Sequence, residues 1–221
     1  MKKNLFFSLL LFPWLIYAQK KSDVGISSGA SYYLGDINPG RQFYSPHVFY
    51  GLVWRYNLNP RYVIKGTFTY IRVSATDADF TDPYQLIRRE TFSTSLYDLG
   101  MQFEFNFLPY KFAERKIGLS PFVSAGVGVA YQLGVNLSKS INPVLPFTAG
   151  IKFSIYKRWS AGWEWSFRKT FNDNLDGNPN RNIGSSSTLL HNNDWYSYSG
   201  LFVAYKIFDT VSDCPAYEKE R

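Results

Sequence analysis

The clearest alternation of apolar and polar residues in the chain lies between Tyr97 and Phe107. The residues of one alternate set are apolar and almost all aromatic: Tyr97, Leu99, Met101, Phe103, Phe105 and Phe107. The intervening residues are polar or small: Asp98, Gly100, Gln102, Glu104 and Asn106. Strict period-two alternation predicts an extended strand with two different faces. A strand with lipid on one side and a packed polar lumen on the other has this pattern, so we expect Phe103 and Phe105 to face lipid.

The same alternation recurs along the chain and predicts eight strands. They cover residues 24–34, 47–57, 62–73, 97–107, 119–131, 144–156, 159–170 and 195–208. The first, third, fifth and seventh connections are long, the second and sixth are very short, and the fourth is intermediate. This rhythm is typical of an up-and-down membrane barrel with long outer loops, tight periplasmic turns and both termini in the periplasm. The sequence therefore predicts an all-β, eight-stranded antiparallel up-and-down transmembrane β-barrel, with no helix after the N-terminal segment.

A soluble sandwich or a lipocalin-type barrel could show similar alternation, with its large apolar residues inside. The glycines favour the membrane barrel, because small residues must alternate with large ones in a narrow eight-stranded lumen. Six glycines are assigned to the polar face of their strands: Gly66, Gly100, Gly126, Gly128, Gly150 and Gly162.

The N-terminus of the 221-residue chain reads as a secretory signal: Lys2 and Lys3, an apolar run from Leu5 to Ile16, and Ala18 before the expected cut. The apolar run is too short to span a bilayer as a helix. We predict a cleaved signal peptide over residues 1–18, a barrel over 19–208 and a periplasmic tail over 209–221. Aromatic residues make up 19% of the chain and mean hydropathy is −0.22, which excludes a helical membrane protein.

The chain is basic, with a formal charge of +7. Removing residues 1–18 takes away two lysines and no acids, leaving 22 basic and 17 acidic residues, or +5. The basic residues are scattered or lie at turns, and an exported protein rarely meets nucleic acid, so no nucleic-acid partner is expected. The single Cys214 cannot form an intramolecular disulfide.

Four charges fall on the predicted polar faces of strands four, six and seven. They are Glu104, Lys152, Glu164 and Arg168. A charge in a narrow lumen is costly unless it is paired. We therefore predict a network in which Glu104 and Glu164 meet Lys152 and Arg168, with structural filling as its role and a small ion pathway as the alternative. Eight strands leave room only for side chains, which excludes a diffusion pore.

The long seventh connection carries residue types found in hydrolase sites: Asp173, Asp176, Ser185, Ser186, Ser187, His191 and Asp194. A nucleophile needs a base that a carboxylate holds in place, and this spacing fixes no such triad. The only other histidine is His47. The Asp173-x-x-Asp176-Gly177 segment lacks the remaining ligands of a calcium loop and is interpreted as a solvated turn. No catalytic residue, metal or cofactor is predicted.

Several stretches together resemble a known family. They are SYYLGDINP from Ser31, RYNLNPRY from Arg55, QFEFNFLPY from Gln102, GWEWSFRKTFNDNLD from Gly162 and NDWYSYSGL from Asn193. In this order and at this spacing they resemble the PorG-type (DUF6089) outer-membrane barrel subunit of the Bacteroidetes type IX secretion system, over nearly the whole mature chain. The place of Asp36 to Gly40 in the first motif suggests a turn that folds into the barrel mouth.

This resemblance implies an assembly protein and not an enzyme: an outer-membrane anchor for the periplasmic ring of the secretion machine, which is built from a lipoprotein and its partner. The machine exports proteins, supporting surface enzymes and gliding motility. The alternatives are a general outer-membrane structural barrel and an outer-membrane barrel that is an enzyme or binds a ligand in its lumen.

The basic residues at the predicted periplasmic turns are the expected docking surface for an acidic ring component, because clustered charge of one sign attracts a partner of the other sign. They are Arg61, Lys111, Arg115, Lys116, Lys157 and Arg158. Ordinary solubility is the alternative role of these charges. Cys214, in the tail, could cross-link in the oxidising periplasm.

Overall fold

The chain forms one closed barrel in the computed structural model. The structure describes residues 22–35, 37–38, 40–81, 83–89, 91–109, 118–133, 139–156, 158–171 and 194–207. The predicted signal peptide at 1–18 and the predicted tail at 209–221 lie outside the described residues.

Eight strands follow one another around the barrel: β1 (Ser22–Leu34), β2 (His47–Asn57), β3 (Tyr62–Thr76), β4 (Thr91–Asn106), β5 (Leu119–Leu133), β6 (Lys139–Tyr156), β7 (Trp159–Thr170) and β8 (Trp195–Lys206). Each strand pairs antiparallel with the next in sequence, and β1 pairs with β8 from Asp23↔Lys206 to Leu34↔Trp195. Because the sheet is closed, it has no unpaired edge. An unpaired edge would be costly in lipid, where its backbone groups find no hydrogen-bond partner. The predicted fold, an eight-stranded antiparallel up-and-down barrel, is confirmed.

The strands extend further than predicted at the end of the barrel where β1 joins β2, which we call the loop end. There β3 and β4 stay paired as far as Thr76↔Thr91. The fifth connection shrinks to residues 134–138, between Leu133 and Lys139, so the prediction of a long fifth connection was wrong. The backbone ladder continues although the outward side chains of β3 have become polar, because ladder hydrogen bonds do not depend on side-chain polarity.

Two short helices lie in the third connection, where the sequence predicted none: a 3-10 helix (Asp77–Asp79) and α1 (Pro83–Arg88). The hydroxyl of Thr76 caps the first of them by accepting a hydrogen bond from the Ala78 backbone N–H. The described helices are all too short or too polar to cross a membrane. The third connection packs on the first, where the Tyr44 hydroxyl donates to Asp79 Oδ2 at 2.7 Å. Partial burial and this hydrogen bond raise the pKa of Tyr44 to about 12, so the phenol remains a donor at neutral pH.

The outer wall is apolar and the inner wall is polar, the reverse of a soluble barrel. On β4, Leu99, Met101 and Phe103 are 57%, 58% and 52% exposed, whereas Gln102 and Glu104 are buried. Phe105 also lies on the outward set of positions. The prediction that Phe103 and Phe105 face outward is confirmed, and the apolar exterior is that of a transmembrane barrel.

Aromatic side chains mark the two edges of the apolar belt. At the end opposite the loop end, which we call the turn end, the ring centroids of Tyr62 and Phe103 lie 5.6 Å apart. At the loop end the ring centroids of Tyr70 and Tyr97 lie 5.3 Å apart. Arg72 is the next outward residue of β3 after Tyr70. The strand from Tyr62 to Arg72 rises about 33 Å, which a tilt of about 40° reduces to about 25 Å of height. This matches the apolar band of outer-membrane barrels.

One glycine lies on the opposite face from the one predicted. Gly66 shares the outward positions of β3 with Ile64 and Phe68, and a Cβ added there would lie 3.2 Å from the Trp54 ring. Gly66 has the same parity as these apolar residues, so its assignment to the lumen was wrong. The glycine lies directly across from Trp54 in the ladder and lets the indole lie flat on the wall.

Placing a charge on the apolar belt tests the membrane assignment. We expect Leu99→Arg, near mid-height, to destabilise the barrel in phospholipid vesicles by about 2–4 kcal/mol, because the guanidinium must enter the bilayer core. Thr91→Arg, at the exposed loop end of the same strand, should cost about 1 kcal/mol or less. Denaturant unfolding followed by tryptophan fluorescence measures both. Equal costs for the two variants would contradict a transmembrane belt at this height.

Candidate functional site

The lumen contains a balanced set of buried charges. Among the described residues, the charges buried on the strands are four cations and four carboxylates: Arg55, Lys65, Lys152, Arg168, Asp23, Asp98, Glu104 and Glu164. Each lies on the inward set of positions of its strand, which follows from the period-two alternation. The formal charges cancel, so this part of the lumen is electrically neutral.

Glu104 joins strands that are not neighbours in the sheet. Its Oε1 lies 2.5 Å from Lys152 Nζ, and its Oε2 lies 3.3 Å from Arg55 Nε. The three residues belong to β4, β6 and β2, so the ion pairs cross the lumen. Charge-assisted hydrogen bonds of this kind are the strong ones, and here they connect walls that share no backbone ladder.

Arg55 links this group to a second glutamate. Glu164 Oε2 lies 2.6 Å from Lys65 Nζ and 3.8 Å from Arg55 Nη2, and Asp23 Oδ2 lies 3.9 Å from Arg55 Nη1. Arg55 is thus within 4 Å of three carboxylates. A planar guanidinium with five N–H donors suits this bridging position better than an ammonium would.

Two phenylalanines complete the ionic layer. The guanidinium of Arg55 lies 4.2 Å from the centre of the Phe202 ring, and the ammonium groups of Lys65 and Lys152 lie 5.6 and 5.5 Å from that of Phe122. These are cation–π distances. Gly150 makes room for Phe122, since a Cβ added there would lie 2.7 Å from its ring. This close approach explains the glycine.

Arg168 belongs to a separate group nearer the loop end. Its Nη2 lies 3.5 Å from Asp98 Oδ1 and donates to the Tyr198 hydroxyl at 2.7 Å. The other oxygen of Asp98 accepts a hydrogen bond from the Tyr196 hydroxyl at 2.5 Å. The buried carboxylate is therefore held by one cation and one phenol, from β7 and β8.

The predicted lumen network is partly corrected by these contacts. Glu104 meets Lys152 as expected. Glu164 pairs with Lys65 and Arg55, and Arg168 pairs with Asp98; the sequence analysis gave the wrong partners for both. It also missed four members of the network: Arg55, Lys65, Asp98 and Asp23. The signal for them was present, because each occupies the inward set of positions on its strand.

Above the ionic layer the lumen is filled by amides and hydroxyls and then by apolar groups. Gln102 Oε1 accepts hydrogen bonds from Ser124 at 2.7 Å and Thr148 at 3.0 Å. A buried apolar cluster fills the loop end: Tyr33, Ile37, Phe49, Ile71, Val73, Ala75, Phe92, Leu96, Ala130, Val144, Tyr196 and Tyr198. Layers of interlocking side chains are what an eight-stranded barrel has room for.

The first connection helps to close the mouth. Ile37 joins the apolar cluster, and its carbonyl accepts a hydrogen bond from the Gln85 amide of α1 at 2.9 Å. The buried Asn38 side chain donates to the carbonyls of Tyr33 and Arg41, both at 2.8 Å. The prediction that the segment from Asp36 to Gly40 folds into the mouth is confirmed for its described residues.

Because an ionic layer, a hydrogen-bonded layer and an apolar cluster cross the described lumen, we expect no steady ion conductance. Purified protein inserted into planar bilayers should give traces that stay at the baseline. The Ile37→Gly variant, which thins the cluster at the mouth but leaves the ionic layer in place, should also remain closed. Stable conductance steps from the wild-type protein would show an open pathway and contradict this picture.

The ion pairs themselves can be tested by removing one charge. Glu104→Gln leaves Lys152 buried beside a neutral amide and should destabilise the barrel by about 3–5 kcal/mol, since an uncompensated buried charge is costly. The Glu104→Gln/Lys152→Met double variant removes both charges and should recover a large part of that loss. Denaturant unfolding in phospholipid vesicles measures both. Equal stability of wild type and Glu104→Gln would exclude a structural ion pair.

At the turn end the structure describes only part of the predicted docking surface. The carbonyl of Arg61 accepts a hydrogen bond from the Asn106 N–H at 2.7 Å, and that of Arg158 accepts one from the Lys206 N–H at 2.9 Å. Both arginines therefore lie at the end where β1 begins and β8 ends, with Arg61 exposed and Arg158 half-exposed. The other predicted members lie outside the described residues: Lys111, Arg115, Lys116, Lys157 and Cys214.

Most of the residues considered for hydrolysis or calcium binding also lie outside the described residues: Asp173, Asp176, Gly177, Ser185, Ser186, Ser187 and His191. Asp194 is described and buried, and its carboxylate accepts a hydrogen bond from the Tyr33 hydroxyl. Within the described part of the chain, no cluster of three or more His, Cys, Asp or Glu residues could hold a metal ion.

The structure adds a serine–histidine contact that the sequence analysis did not find. His47 Nε2 lies 2.7 Å from Ser74 Oγ, which is 2.9 Å from Ser45 Oγ. The residues are 27 apart in sequence, and the pairing of β2 with β3 brings them together. Nucleophilic catalysis needs a third group that orients the base, and the described contacts of His47 include no carboxylate. The contact is therefore a serine–histidine pair without the third member of a triad.

Comparison with known proteins gives one family and several similar folds. The family model described as "Domain of unknown function (DUF6089)" matches residues 2–217. No curated protein matches. The chain is similar to the crystal structure of Neisserial surface protein A (NspA), with a TM-score of 0.51 and 12% identity, covering 84% of this chain and 97% of that one. This likeness shows the fold alone.

Two further solved structures are similar at lower scores. The outer membrane protein OprG from Pseudomonas aeruginosa has a TM-score of 0.47 and 9% identity, covering 87% of this chain and 99% of its own. The outer membrane enzyme PagL has a TM-score of 0.41 and 17% identity, and the match covers 82% of this chain and 97% of the PagL chain.

Proposed function

The chain belongs to the DUF6089 family, and on that premise we propose that it is an outer-membrane β-barrel that anchors the periplasmic ring complex of a type IX protein secretion system. In this proposal the chain is exported by its N-terminal signal, both termini lie in the periplasm, and the turn end meets the ring. The motifs that run from Ser31 to Leu201 in family order support the assignment to secretion.

The observation that carries an anchoring role is the filled lumen. Glu104 and Glu164 are fully buried and paired with cations from opposite walls, and the apolar cluster fills the mouth. A barrel whose described lumen is occupied by these side chains leaves little room for a solute or a ligand. Its remaining means of action are its lipid-facing wall, its loops and its turn end, which suits a protein that holds a partner at the membrane.

The charge at the turn end supports an acidic partner. Arg61 and Arg158 lie at this end, the fourth connection carries Lys111, Arg115 and Lys116, and the sixth carries Lys157. A group of cations at one end of a rigid barrel increases the association rate of an anionic surface and orients it. Outer-membrane lipids and the ring proteins, a lipoprotein and its partner, are the contacts proposed for this chain. The proposal involves no cofactor.

Affinity purification from native outer membranes tests the proposal. The tagged wild-type protein should co-purify the periplasmic ring proteins, identified by mass spectrometry. Reversing two charges at the turn end, Arg115→Glu/Lys116→Glu, should reduce their recovery at least tenfold, because like charges across an interface cost several kcal/mol. A matched reversal at the loop end, Arg41→Glu/Arg89→Glu, serves as the control and should leave recovery unchanged.

One outcome would contradict the secretion role, and a second would contradict the docking surface alone. If the wild-type protein recovers no ring protein, the secretion role is wrong and a general structural barrel is favoured. If the ring is recovered equally with the turn-end and loop-end variants, anchoring stands but the basic turn end is not the docking surface. Recovery of a disulfide-linked partner that disappears in Cys214→Ser would assign a covalent contact to the tail.

A hydrolase is the competing class, favoured by one observation, the 2.7 Å contact between His47 and Ser74. We propose a non-enzymatic role because this pair lacks an orienting carboxylate among its described contacts. Hydrolysis of a phospholipid or peptide by the purified protein, lost in Ser74→Ala or His191→Ala but kept in Ser93→Ala, would favour the hydrolase instead.

A further inference from the structure

The outer wall of β3 and β4 changes from apolar to polar within one residue pair. Tyr70 and Tyr97 face each other in the ladder at the edge of the belt, and the next outward pair is Arg72↔Ser95. Arg72 is exposed, and its Nε and Nη2 both lie 3.4 Å from Ser93 Oγ. A cation therefore stands directly above the aromatic edge of the belt, at the depth where lipid headgroups meet the protein.

Hydroxyl groups surround this cation on the same outward face. The Tyr70 hydroxyl lies 3.1 Å from Ser95 Oγ, and Ser74, paired with Ser93 in the ladder, contacts His47 and Ser45. Hydroxyls and a guanidinium are the groups that bind phosphate oxygens, the guanidinium in a two-pronged geometry that an ammonium lacks. The patch is thus suited to an anion rather than to a cation or an apolar group.

An apolar groove of about 700 Å³ lies on the adjoining outer wall of β8, β1, β2 and β3, and it meets the patch at β3. The side chains that line it include Ile26, Ser28, Tyr50, Leu52, Phe68 and Tyr70. It exists because Ser28 is small while its partners in the two ladders, Tyr50 and Leu201, are large. Tyr70, at its upper end, is two residues from Arg72 on the same face of β3, or about 7 Å.

We propose that this wall binds one phosphorylated lipid of the leaflet at the loop end, with its phosphate on Arg72 and an acyl chain in the groove. The apolar groove lies inside the belt that faces lipid, and the cation lies at its headgroup end, so charge and polarity both match one amphiphile. This inference goes beyond the anchoring role and does not depend on it.

A second cation provides a matched comparison. Lys169 is also on the outward face at the loop end, on β7, and its ammonium lies 5.5 Å from the centre of the Trp195 ring. Neither cation lines the groove itself, but Arg72 lies two residues from the lining residue Tyr70 on the same face of β3, whereas β7 contributes no lining residue. If an anionic lipid were attracted to the basic barrel in general, Lys169 would contribute to binding as much as Arg72. A specific site beside the groove requires Arg72 and not Lys169.

Native mass spectrometry of the refolded full barrel in non-ionic detergent tests the site, with dimyristoylphosphatidylglycerol as the probe. The wild-type protein should carry one lipid adduct. The apparent Kd should rise at least about tenfold in Arg72→Gln, which loses the charge-assisted bonds, and stay within twofold in Lys169→Gln. Dimyristoylglycerol, with the same chains and no phosphate, should bind at least tenfold more weakly.

Two further experiments distinguish the contribution of the groove from that of the phosphate. Ser28→Phe fills the groove and should weaken lipid binding to a similar extent, whereas Ser28→Ala, which keeps it open, should not. Inorganic phosphate should compete only weakly, because it cannot occupy the groove. Circular dichroism confirms that each variant is folded before its binding is compared.

Three outcomes would overturn the proposal. Equal loss of binding in Arg72→Gln and Lys169→Gln would show general electrostatic attraction. Full binding by Ser28→Phe, or complete displacement of the lipid by inorganic phosphate, would show a phosphate site without an acyl groove. If the wild-type protein binds dimyristoylglycerol as tightly as the phosphorylated lipid, the phosphate of the headgroup does not contribute to binding.

Discussion

The structure depends on the compensation of charge inside a narrow lumen. Glu104 is fully buried and would be costly there without Lys152 and Arg55. Arg55 in turn connects Glu104 to Glu164 and Asp23, so that one guanidinium is shared by three carboxylates. These contacts join β2, β4, β6 and β7 across the barrel, in addition to the ladders that join neighbouring strands. The charges therefore favour one alignment of the strands that carry them, because a slip would separate the partners and leave buried charges unpaired.

The same constraint directs function to the surface. A lumen that is packed with paired charges, then amides, then an apolar cluster has nothing to transmit along the barrel axis. The outer wall carries the opposite chemistry, with apolar side chains between two aromatic edges. What differs between the two ends is charge and shape. The turn end carries Arg61 and Arg158 among its described residues, while at the loop end connections one and three pack against each other over the mouth. A rigid barrel of this kind presents two distinct surfaces at fixed heights relative to the bilayer.

The wall itself is not uniform, and its irregularities arise from small side chains. Ser28 and Gly66 interrupt an otherwise bulky apolar surface, next to Tyr50 and Trp54 respectively. A smooth wall would need residues of similar size at these positions. The sequence contains no obvious packing reason for Ser28 on a lipid-facing position, since a hydroxyl gains nothing from lipid, and its own bond goes to the Phe49 carbonyl at 3.0 Å. A bound amphiphile gives the position a physical role.

The sequence by itself determined the local properties: how many strands there are, which side of each strand meets lipid, and that the strands follow one another around a barrel. Alternation with period two encodes these properties within each strand, which is why Phe103 and Glu104 were assigned to the correct faces. Gly66 was assigned to the wrong face although the alternation places it with the outward residues Ile64 and Phe68, so the sequence did contain the correct answer. Only the tertiary structure decided which charges meet. Glu104 and Lys152 are 48 residues apart, and Lys65 and Glu164 are 99 apart. Whether two inward residues stand at the same height depends on the stagger accumulated from strand to strand around the closed barrel, which no single strand encodes.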